Sequence, residues 1–211
     1  QCKTSNILIN LYNVIVDFSS IIFNKSKISR LIKVEETNGN STILKVSTNF
    51  KILYLRTDHW FNLRSGGSVG HTSGVINSFV KSNVLSQVLS SSKLFNVEWK
   101  SNYIIASPNY KRTSNVPNLP DLNYNIELID SYFNKDQQLG FNLIYQRYSL
   151  GNFYGIYLRR KYNLPLILEF NGSELWVSKH WNNKKIFFFD LLKRIETLNL
   201  NFADKIIVVS E

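Results

Sequence analysis

The pattern of apolar and polar residues divides the chain near residue 49. Over residues 6–24, polar residues recur at alternating steps of four and three, which is the spacing of one helix face, and apolar residues fill the other faces. Basic residues follow up to Lys33, and such a helix can lie on an anionic membrane or pack against a neighbouring domain. Residues 35–49 are polar without a clear period. We therefore predict a helical extension and linker over residues 1–49 and a separate domain over residues 50–211.

Apolar runs alternate with helical spacing after the linker. Strands are expected at residues 52–55, 84–89, 103–106, 141–146, 166–170 and 206–209. Helices are expected within residues 69–80, 126–139, 153–162 and 186–200, and a loop over residues 109–123, which contain two prolines. Alternating strands and helices imply right-handed crossovers. The sequence thus predicts an α/β, Rossmann-like parallel sheet with helices on both faces.

The composition shows an excess of positive charge and argues against a metal site. The net charge is +10, from 25 Lys and Arg against 15 Asp and Glu, which favours an anionic partner such as nucleic acid, a membrane surface or a phosphorylated substrate. Cys2 is the only cysteine, which fits a reducing compartment. No Cys/His cluster has metal-ligand spacing, so we expect no metal. The chain contains no Met, and we expect it to be part of a longer protein.

A glycine loop opens the first predicted helix of the sheet domain. In such sheets ligands bind at the carboxyl ends of the strands, so the loops at residues 57–68, 147–151 and 171–174 should gather on one rim. Gly66 and Gly67 suit either a phosphate at a helix N-terminus or a mere tight turn. The dinucleotide fingerprint is broken by Ser65, and residues 90–92 supply no acid for a ribose. We therefore exclude a nicotinamide dehydrogenase.

Several stretches of the sheet domain together resemble glycosyltransferase family four, in that family's order. They read KILYLRTDHWF from residue 51, SGGSVGHTSGVIN from 65, LIYQRYSL from 143, LPLILEFNGSE from 164 and ADKIIVVS from 203. The first two, taken together, are fairly specific, and the last is weak by itself. The resemblance covers the chain from about residue 51 to its end.

The resemblance implies a GT-B architecture, in which two Rossmann-like lobes face each other across a cleft. This chain would be the N-terminal, acceptor-side lobe of a retaining enzyme that needs no cofactor, and the donor-binding C-terminal lobe would be absent, so that the chain alone would be inactive. The implied partners are a nucleotide sugar as donor and a glycan or glycolipid acceptor, in cell-surface polysaccharide or glycolipid synthesis. The implied location is the cytoplasm, either free or peripheral at the inner face of the plasma membrane.

The resemblance also assigns candidate site residues. Donor phosphates would be bound by Gly66, Gly67 and Ser68. The acceptor or the cleft would be contacted by His71, Arg147, Asn171, Gly172 and Glu174. Many family members have a His where this chain has Asn171, and an amide cannot act as a general base, so no catalytic residue is assigned.

Several of these residues have structural alternatives. His71 could cap or pack a helix, and Arg147 could pair with a phosphate or form a structural ion pair. Glu169 lies in an apolar run and is expected to bond to a neighbouring loop. Residues 159–161 read as a solvated basic helix end.

A basic nucleic-acid-binding domain is the alternative function. It is suggested by the net charge and by aromatic residues near basic ones, as at residues 110–112. The basic residues are dispersed, however, and no known nucleic-acid motif is present. We therefore expect no nucleic-acid partner.

Overall fold

The structure is a computed structural model that describes residues 11–12, 14–16, 19, 22, 26, 29–30, 49–59, 63–98, 102–109, 117–133, 140–181 and 186–208. The described positions between 11 and 30 are helical, in agreement with the helix predicted there. Residues 35–48 of the predicted linker lie outside the described residues. The domain boundary at residue 49 therefore stays a prediction.

Six parallel strands form one sheet in the described part of the chain. Their bounds are Ile52–Arg56 (β1), Leu85–Ser90 (β2), Tyr103–Ile105 (β3), Leu143–Arg147 (β4), Leu166–Phe170 (β5) and Lys205–Val208 (β6). The spatial order is β3-β2-β1-β4-β5-β6, and every neighbouring pair is parallel. The chain moves outward from β1 to one edge and returns to β4, which leaves a crevice between β1 and β4 at their carboxyl ends. The Rossmann-like prediction is confirmed.

Among the described residues from 49 onward, five helices connect or flank these strands. Their bounds are Gly67–Lys81 (α1), Leu119–Ser131 (α2), Tyr154–Tyr162 (α3), Glu174–His180 (α4) and Phe189–Phe202 (α5). The loop predicted over residues 109–123 is wrong at its end, because α2 begins at Leu119. Pro120 lies in the first turn, where a missing N–H group breaks no helix bond. Residues 134–139 of the helix predicted there lie outside the described part.

Helix α4 was not predicted from the sequence. It begins directly after Ser173, whose hydroxyl accepts a hydrogen bond from the Trp176 N–H at 3.1 Å. This short cap lies in a segment whose Asn and Gly residues also suit a loop. The local sequence therefore did not distinguish a loop from a single capped helix.

The sheet is packed on both faces, as the continuous apolar runs in β1 and β4 require. Alternate strand residues point to opposite faces, so Leu53 and Ile144 pack with α2, α3 and α5, whereas Ile52 and Leu143 pack with α1. Strand β6 closes the described sheet and is exposed along its whole length. The core is therefore centred on β1 and β4, the two strands that border the crevice.

Candidate functional site

The two strands that border the crevice end in the same pattern. Strand β1 reads Ile-Leu-Tyr-Leu-Arg and β4 reads Leu-Ile-Tyr-Gln-Arg. Because side chains alternate along a strand, Tyr54 and Arg56 share a face with Tyr145 and Arg147. Tyr54 and Tyr145 are paired in register, and their rings stack with centroids 5.5 Å apart and planes 15° apart. An aromatic pair thus underlies two arginines at the mouth of the crevice.

Both arginines are buried and paired with carboxylates. Arg56 and Arg147 are 4% and 9% exposed. Arg56 contacts Asp58 at 2.9 Å, and Arg147 contacts Glu169 at 2.5 Å. Burial lowers the pKa of Arg56 and raises the pKa of Asp58, and in each case the attraction to the other partially offsets that shift. The crevice therefore holds two desolvated positive groups in fixed positions.

The two guanidinium groups converge on the first turn of α1. Arg56 donates to the Ser68 hydroxyl at 3.3 Å, and Arg147 donates to the same oxygen at 3.5 Å. The N-cap residue is Gly66, so no side chain caps this helix, and no acid lies in its first turn. The first N–H groups of a helix have no acceptor within the helix and carry its positive dipole end. Three sources of positive potential therefore meet at Ser68.

The glycines before Ser68 leave the end of α1 open. Gly66 has φ +109°, a conformation that L side chains rarely adopt, so the loop needs glycine there. Gly67 has no such requirement. A Cβ added to either residue would meet nothing within 4 Å. The fold therefore does not fill the space beside Gly67, and a side chain there would project into that opening.

Glu169 joins three elements beneath the rim. Its side chain is fully buried and accepts hydrogen bonds from Arg147 and, at 3.0 Å, from the Tyr145 hydroxyl. The Nε2 atom of His71 lies 3.0 Å from the oxygen that Arg147 also contacts. The expectation that Glu169 is structurally bonded is correct. These partners lie on β4 and α1, and the side-chain amide of Asn171, in the loop after β5, lies 3.3 Å from the same carboxylate. The structure places His71, one helical turn beyond Gly67, at the crevice.

The loop after β5 completes the rim. When the Asn171 amide is oriented so that its oxygen faces Arg147, that oxygen accepts from the guanidinium at 2.6 Å. Gly172 and Glu174 are exposed, and Glu174 is an electrostatic neighbour of Asp58 and Arg56. The predicted gathering of the three loops on one rim is therefore correct.

Arg56 and Asp58 were missed by the sequence analysis. Their signal was the repetition of Tyr-x-Arg at the ends of β1 and β4, which places both arginines on one face of the sheet once the two strands are paired. The prediction selected Arg147 from β4 and did not carry the pattern over to β1.

The reading of residues 159–161 as a solvated helix end is wrong for Arg159. Its guanidinium makes two hydrogen bonds of 3.0 Å to the carboxylate of Asp204, just before β6. Asp204 also accepts the Leu166 N–H at 2.8 Å. Lys161 donates to the Phe133 carbonyl at 2.6 Å. Arg159 and Lys161 thus bind α3 to the segment before β6 and to the segment just after α2, so they are not part of the candidate site.

A second polar cluster lies on the opposite face of the sheet and supports the loop between β4 and α3. Gln146 accepts the Gly155 N–H at 2.7 Å and donates to Asn199 at 3.0 Å. Asn199 donates to the Asn152 carbonyl at 2.8 Å, and the Asn152 amide donates to the Thr57 hydroxyl at 2.6 Å. This cluster fixes the loop after β4 against the loop after β1, and so holds one wall of the crevice.

The described part of the chain contains neither a metal-ligand cluster nor a membrane-spanning helix. Within it, no group of three or more His, Cys, Asp or Glu side chains has an arrangement that could hold a metal ion. No helix described there has both the length and the apolar character needed to cross a membrane. Comparisons with protein-family models, with characterised proteins and with solved structures gave no match.

Proposed function

We propose that the sheet domain binds the diphosphate of a sugar nucleotide at the β1/β4 crevice and forms the acceptor-side lobe of a glycosyltransferase. The observation that carries this proposal is the convergence of Arg56, Arg147 and the open N-terminus of α1 on Ser68. Guanidinium groups and helix N-termini are the donors that phosphates favour. Their position at the strand-order reversal is where Rossmann-like sheets bind ligands.

This arrangement suits the transfer of a sugar from a diphosphate. As the bond to the sugar breaks, negative charge grows on the leaving phosphate, and fixed donors that are largely withdrawn from water stabilise that charge. Arg56 and Arg147 are held in place by carboxylates and by the aromatic pair below them. They would supply positive charge to the leaving group from the protein itself, so the proposed mechanism includes no metal or cofactor.

The acceptor would lie along the exposed loop after β5. Asn171, Gly172 and Glu174 present polar groups that can hydrogen-bond sugar hydroxyls. Trp176 on the adjoining helix α4 and Trp181 directly after it are 51% and 75% exposed, with ring centroids 5.7 Å apart. Exposed tryptophans with a flat apolar face and a polar edge suit a partner that is part apolar and part polar. A glycan or glycolipid acceptor has this character.

The finer parts of the proposal rest on the family resemblance. These are the retention of anomeric configuration, the role in cell-surface polysaccharide or glycolipid synthesis, and the cytoplasmic location at the inner face of the membrane. The donor-binding lobe that the resemblance implies belongs to the same proposal.

Two matched glycine variants test the diphosphate site. Gly67 and Gly74 both lie on α1, and at both positions an added Cβ would meet nothing within 4 Å. We expect Gly67→Val to weaken the binding of inorganic pyrophosphate and of UDP-glucose by at least about tenfold, or 1.4 kcal/mol, because its side chain enters the phosphate space. Gly74→Val should bind like the wild type. Isothermal titration calorimetry measures the affinities, and thermal unfolding checks that both variants fold.

The proposal fails if the wild-type chain binds neither pyrophosphate nor any member of a panel of nucleotide diphosphates and sugar nucleotides. Equal binding by the two glycine variants would show that the loop before α1 is not the phosphate site. Salt-sensitive binding of random-sequence DNA, in the absence of any sugar-nucleotide binding, would favour the nucleic-acid alternative instead.

A further inference from the structure

We propose that His71 is the proton acceptor of this site, acting through Nδ1 while Glu169 holds the opposite ring nitrogen in the N–H form. The inference rests on the proposed function, because the proton would come from the hydroxyl of a glycan acceptor. It deepens that function by assigning the catalytic base that the sequence left unassigned.

Glu169 determines the tautomer of the imidazole. Its carboxylate is fully buried and already accepts from Arg147 and from the Tyr145 hydroxyl. His71 Nε2 lies 3.0 Å from an oxygen of the same carboxylate, which is ion-pair distance. The buried Nε2 makes no hydrogen bond of good geometry to any described residue, so this carboxylate oxygen is the acceptor that it faces. A ring nitrogen that faces an accepting oxygen is stabilised when it carries the proton. In the neutral ring, the lone pair is then left on Nδ1.

The remainder of the ring is accessible from the crevice. The Nε2 atom is buried, whereas the His71 side chain as a whole is 35% exposed. The exposed surface therefore belongs to the other side-chain atoms, and we take Nδ1 to be among the exposed ones. His71 lies four residues after Gly67, which places both on one side of α1. A ligand with its diphosphate at the start of α1 would thus pass this ring.

The proposed step replaces one bond at the anomeric carbon by another and transfers one proton. The acceptor hydroxyl oxygen forms a bond to the anomeric carbon on the same face that the diphosphate leaves, as retention of configuration requires, and the bond from that carbon to the phosphate oxygen breaks. The bonding electron pair leaves with the diphosphate, beside Arg56 and Arg147, and the hydroxyl proton moves to Nδ1 of His71. The buried Glu169 carboxylate then stabilises the imidazolium, as a carboxylate does in other oriented histidine bases.

Two of the other polar groups of the rim are less suited to this role, and a third, Glu174, competes for it. The amide of Asn171 cannot take up a proton, and Asp58 is committed to Arg56 at 2.9 Å. Glu174 is exposed and is a second carboxylate at the rim. The experiment must therefore separate His71 from Glu174.

Nuclear magnetic resonance of the uniformly ¹⁵N-labelled chain tests the tautomer directly. Long-range ¹H–¹⁵N spectra, recorded at a pH where the ring is neutral, should show His71 with a protonated Nε2 and a pyridine-like Nδ1. His71→Gln assigns the signals by their loss. Glu169→Gln should reduce the preference for the Nε2–H form, since an amide can either accept or donate. Glu196→Gln is the matched control, because its partners are Tyr148 and Ser173.

Reaction with diethyl pyrocarbonate tests whether Nδ1 is available as a base. A free nitrogen attacks the reagent, takes one ethoxycarbonyl group and releases ethyl carbonate, which decomposes to ethanol and carbon dioxide. We expect the product at Nδ1 of His71, with exposed His180 as the reactive reference and His59, whose side chain is 11% exposed, as the slow one. Glu174→Gln should leave this reaction unchanged.

A dominant Nδ1–H tautomer in the wild type overturns the inference, and so does the absence of His71 modification when His180 has reacted completely. These measurements need no activity and no stable variant. A pyrophosphate titration of the same sample separates the two proposals. If the chain binds pyrophosphate but His71 has the Nδ1–H tautomer, only the role of His71 is contradicted. If His71 has the expected tautomer but the chain does not bind pyrophosphate, the proposed function is contradicted, and with it the acceptor hydroxyl as the source of the proton.

Discussion

Two buried polar clusters lie on opposite faces of the same sheet, and they are built differently. The charged cluster consists of Arg56, Asp58, Arg147 and Glu169, and its ion pairs join side chain to side chain. The amide cluster consists of Asn125, Gln146, Asn152 and Asn199, and most of its hydrogen bonds end on backbone groups. Both clusters take polar atoms out of water.

The backbone bonds of the amide cluster explain why the fold needs it. The segment from Gly151 to Gly155 is buried, and its N–H and carbonyl groups have to find partners there. Asn125 accepts the Phe153 N–H at 3.0 Å, and Asn152 accepts the Tyr154 N–H at 3.1 Å. Apolar residues at these positions would leave main-chain groups unpaired, at about 1–3 kcal/mol each.

The charged cluster has no comparable structural necessity. Buried ion pairs cost desolvation energy, and their replacement by apolar groups is often neutral or stabilising. The pairs lie at the crevice, with both arginines directed toward Ser68. The amide cluster therefore satisfies main-chain groups that the fold buries, whereas the charged cluster holds charged groups at the crevice. The following predictions test this contrast, in order of decreasing effect.

The largest effect is expected when one member of the charged cluster is removed. Arg147→Met leaves Glu169 buried without its cation and should lower the free energy of unfolding by about 3–5 kcal/mol. The double variant Arg147→Met/Glu169→Gln removes both charges and should recover more than half of that loss while binding pyrophosphate poorly. Urea denaturation and calorimetry measure the two quantities. A double variant as unstable as the single one would mean that the charges hold the fold together.

The amide cluster should respond in the opposite way. Gln146→Leu leaves the Gly155 N–H without its acceptor and should cost at least about 1–3 kcal/mol. Adding Asn199→Leu should increase the loss, because the Asn152 carbonyl then loses its donor as well. Urea denaturation is again the measurement. Gln87→Leu, on the half-buried part of β2, is the control and should change stability by less than about 0.5 kcal/mol. If the double variant Gln146→Leu/Asn199→Leu recovered stability, the amide cluster would behave like the charged cluster, and the proposed difference between them would be wrong.

The smallest effect is expected for the contribution of Asp58 to the pH dependence of the free energy of unfolding. Burial raises the pKa of Asp58 in the folded chain above the value of about 3.9 of an unfolded aspartate. Between these two values the folded chain binds more protons than the unfolded chain, so the contribution of Asp58 to stability falls as pH rises. The free energy of unfolding of the wild type minus that of Asp58→Asn should therefore decrease as pH rises from about 4.

Urea denaturation at a series of pH values measures that difference. Asp121 also has a pKa raised by burial, but it is present in both proteins, so its contribution cancels in the subtraction. Glu174 is an electrostatic neighbour of Asp58, so both proteins also carry Glu174→Gln. The slope should not exceed about 1.4 kcal/mol per pH unit, which is the limit for one proton. A difference that does not vary with pH would show that Asp58 titrates alike in the folded and unfolded chains.

The sequence by itself determined the fold class and the edge of the sheet at which the candidate site lies. Continuous apolar runs such as Ile52–Arg56 and Leu166–Phe170 mark strands buried on both faces, and the helical spacing between runs requires crossovers and a parallel sheet. A parallel sheet brings the carboxyl ends of its strands to one edge. The rim loops, with Gly66, Gly67 and Ser68, could therefore be selected before any coordinates were known.

Only the tertiary structure decided which polar groups pair. Arg147 and Ser68 are 79 positions apart in the sequence, and Asn152 and Thr57 are 95 apart. Local periodicity reports whether a residue faces inward, but it carries no information on the element opposite. For this reason Arg159 was read as solvated although it binds Asp204, and Arg56 was passed over although it stands beside Arg147 at the crevice. Pairing at such distances follows from strand order, which is a property of the packed sheet and not of any one segment.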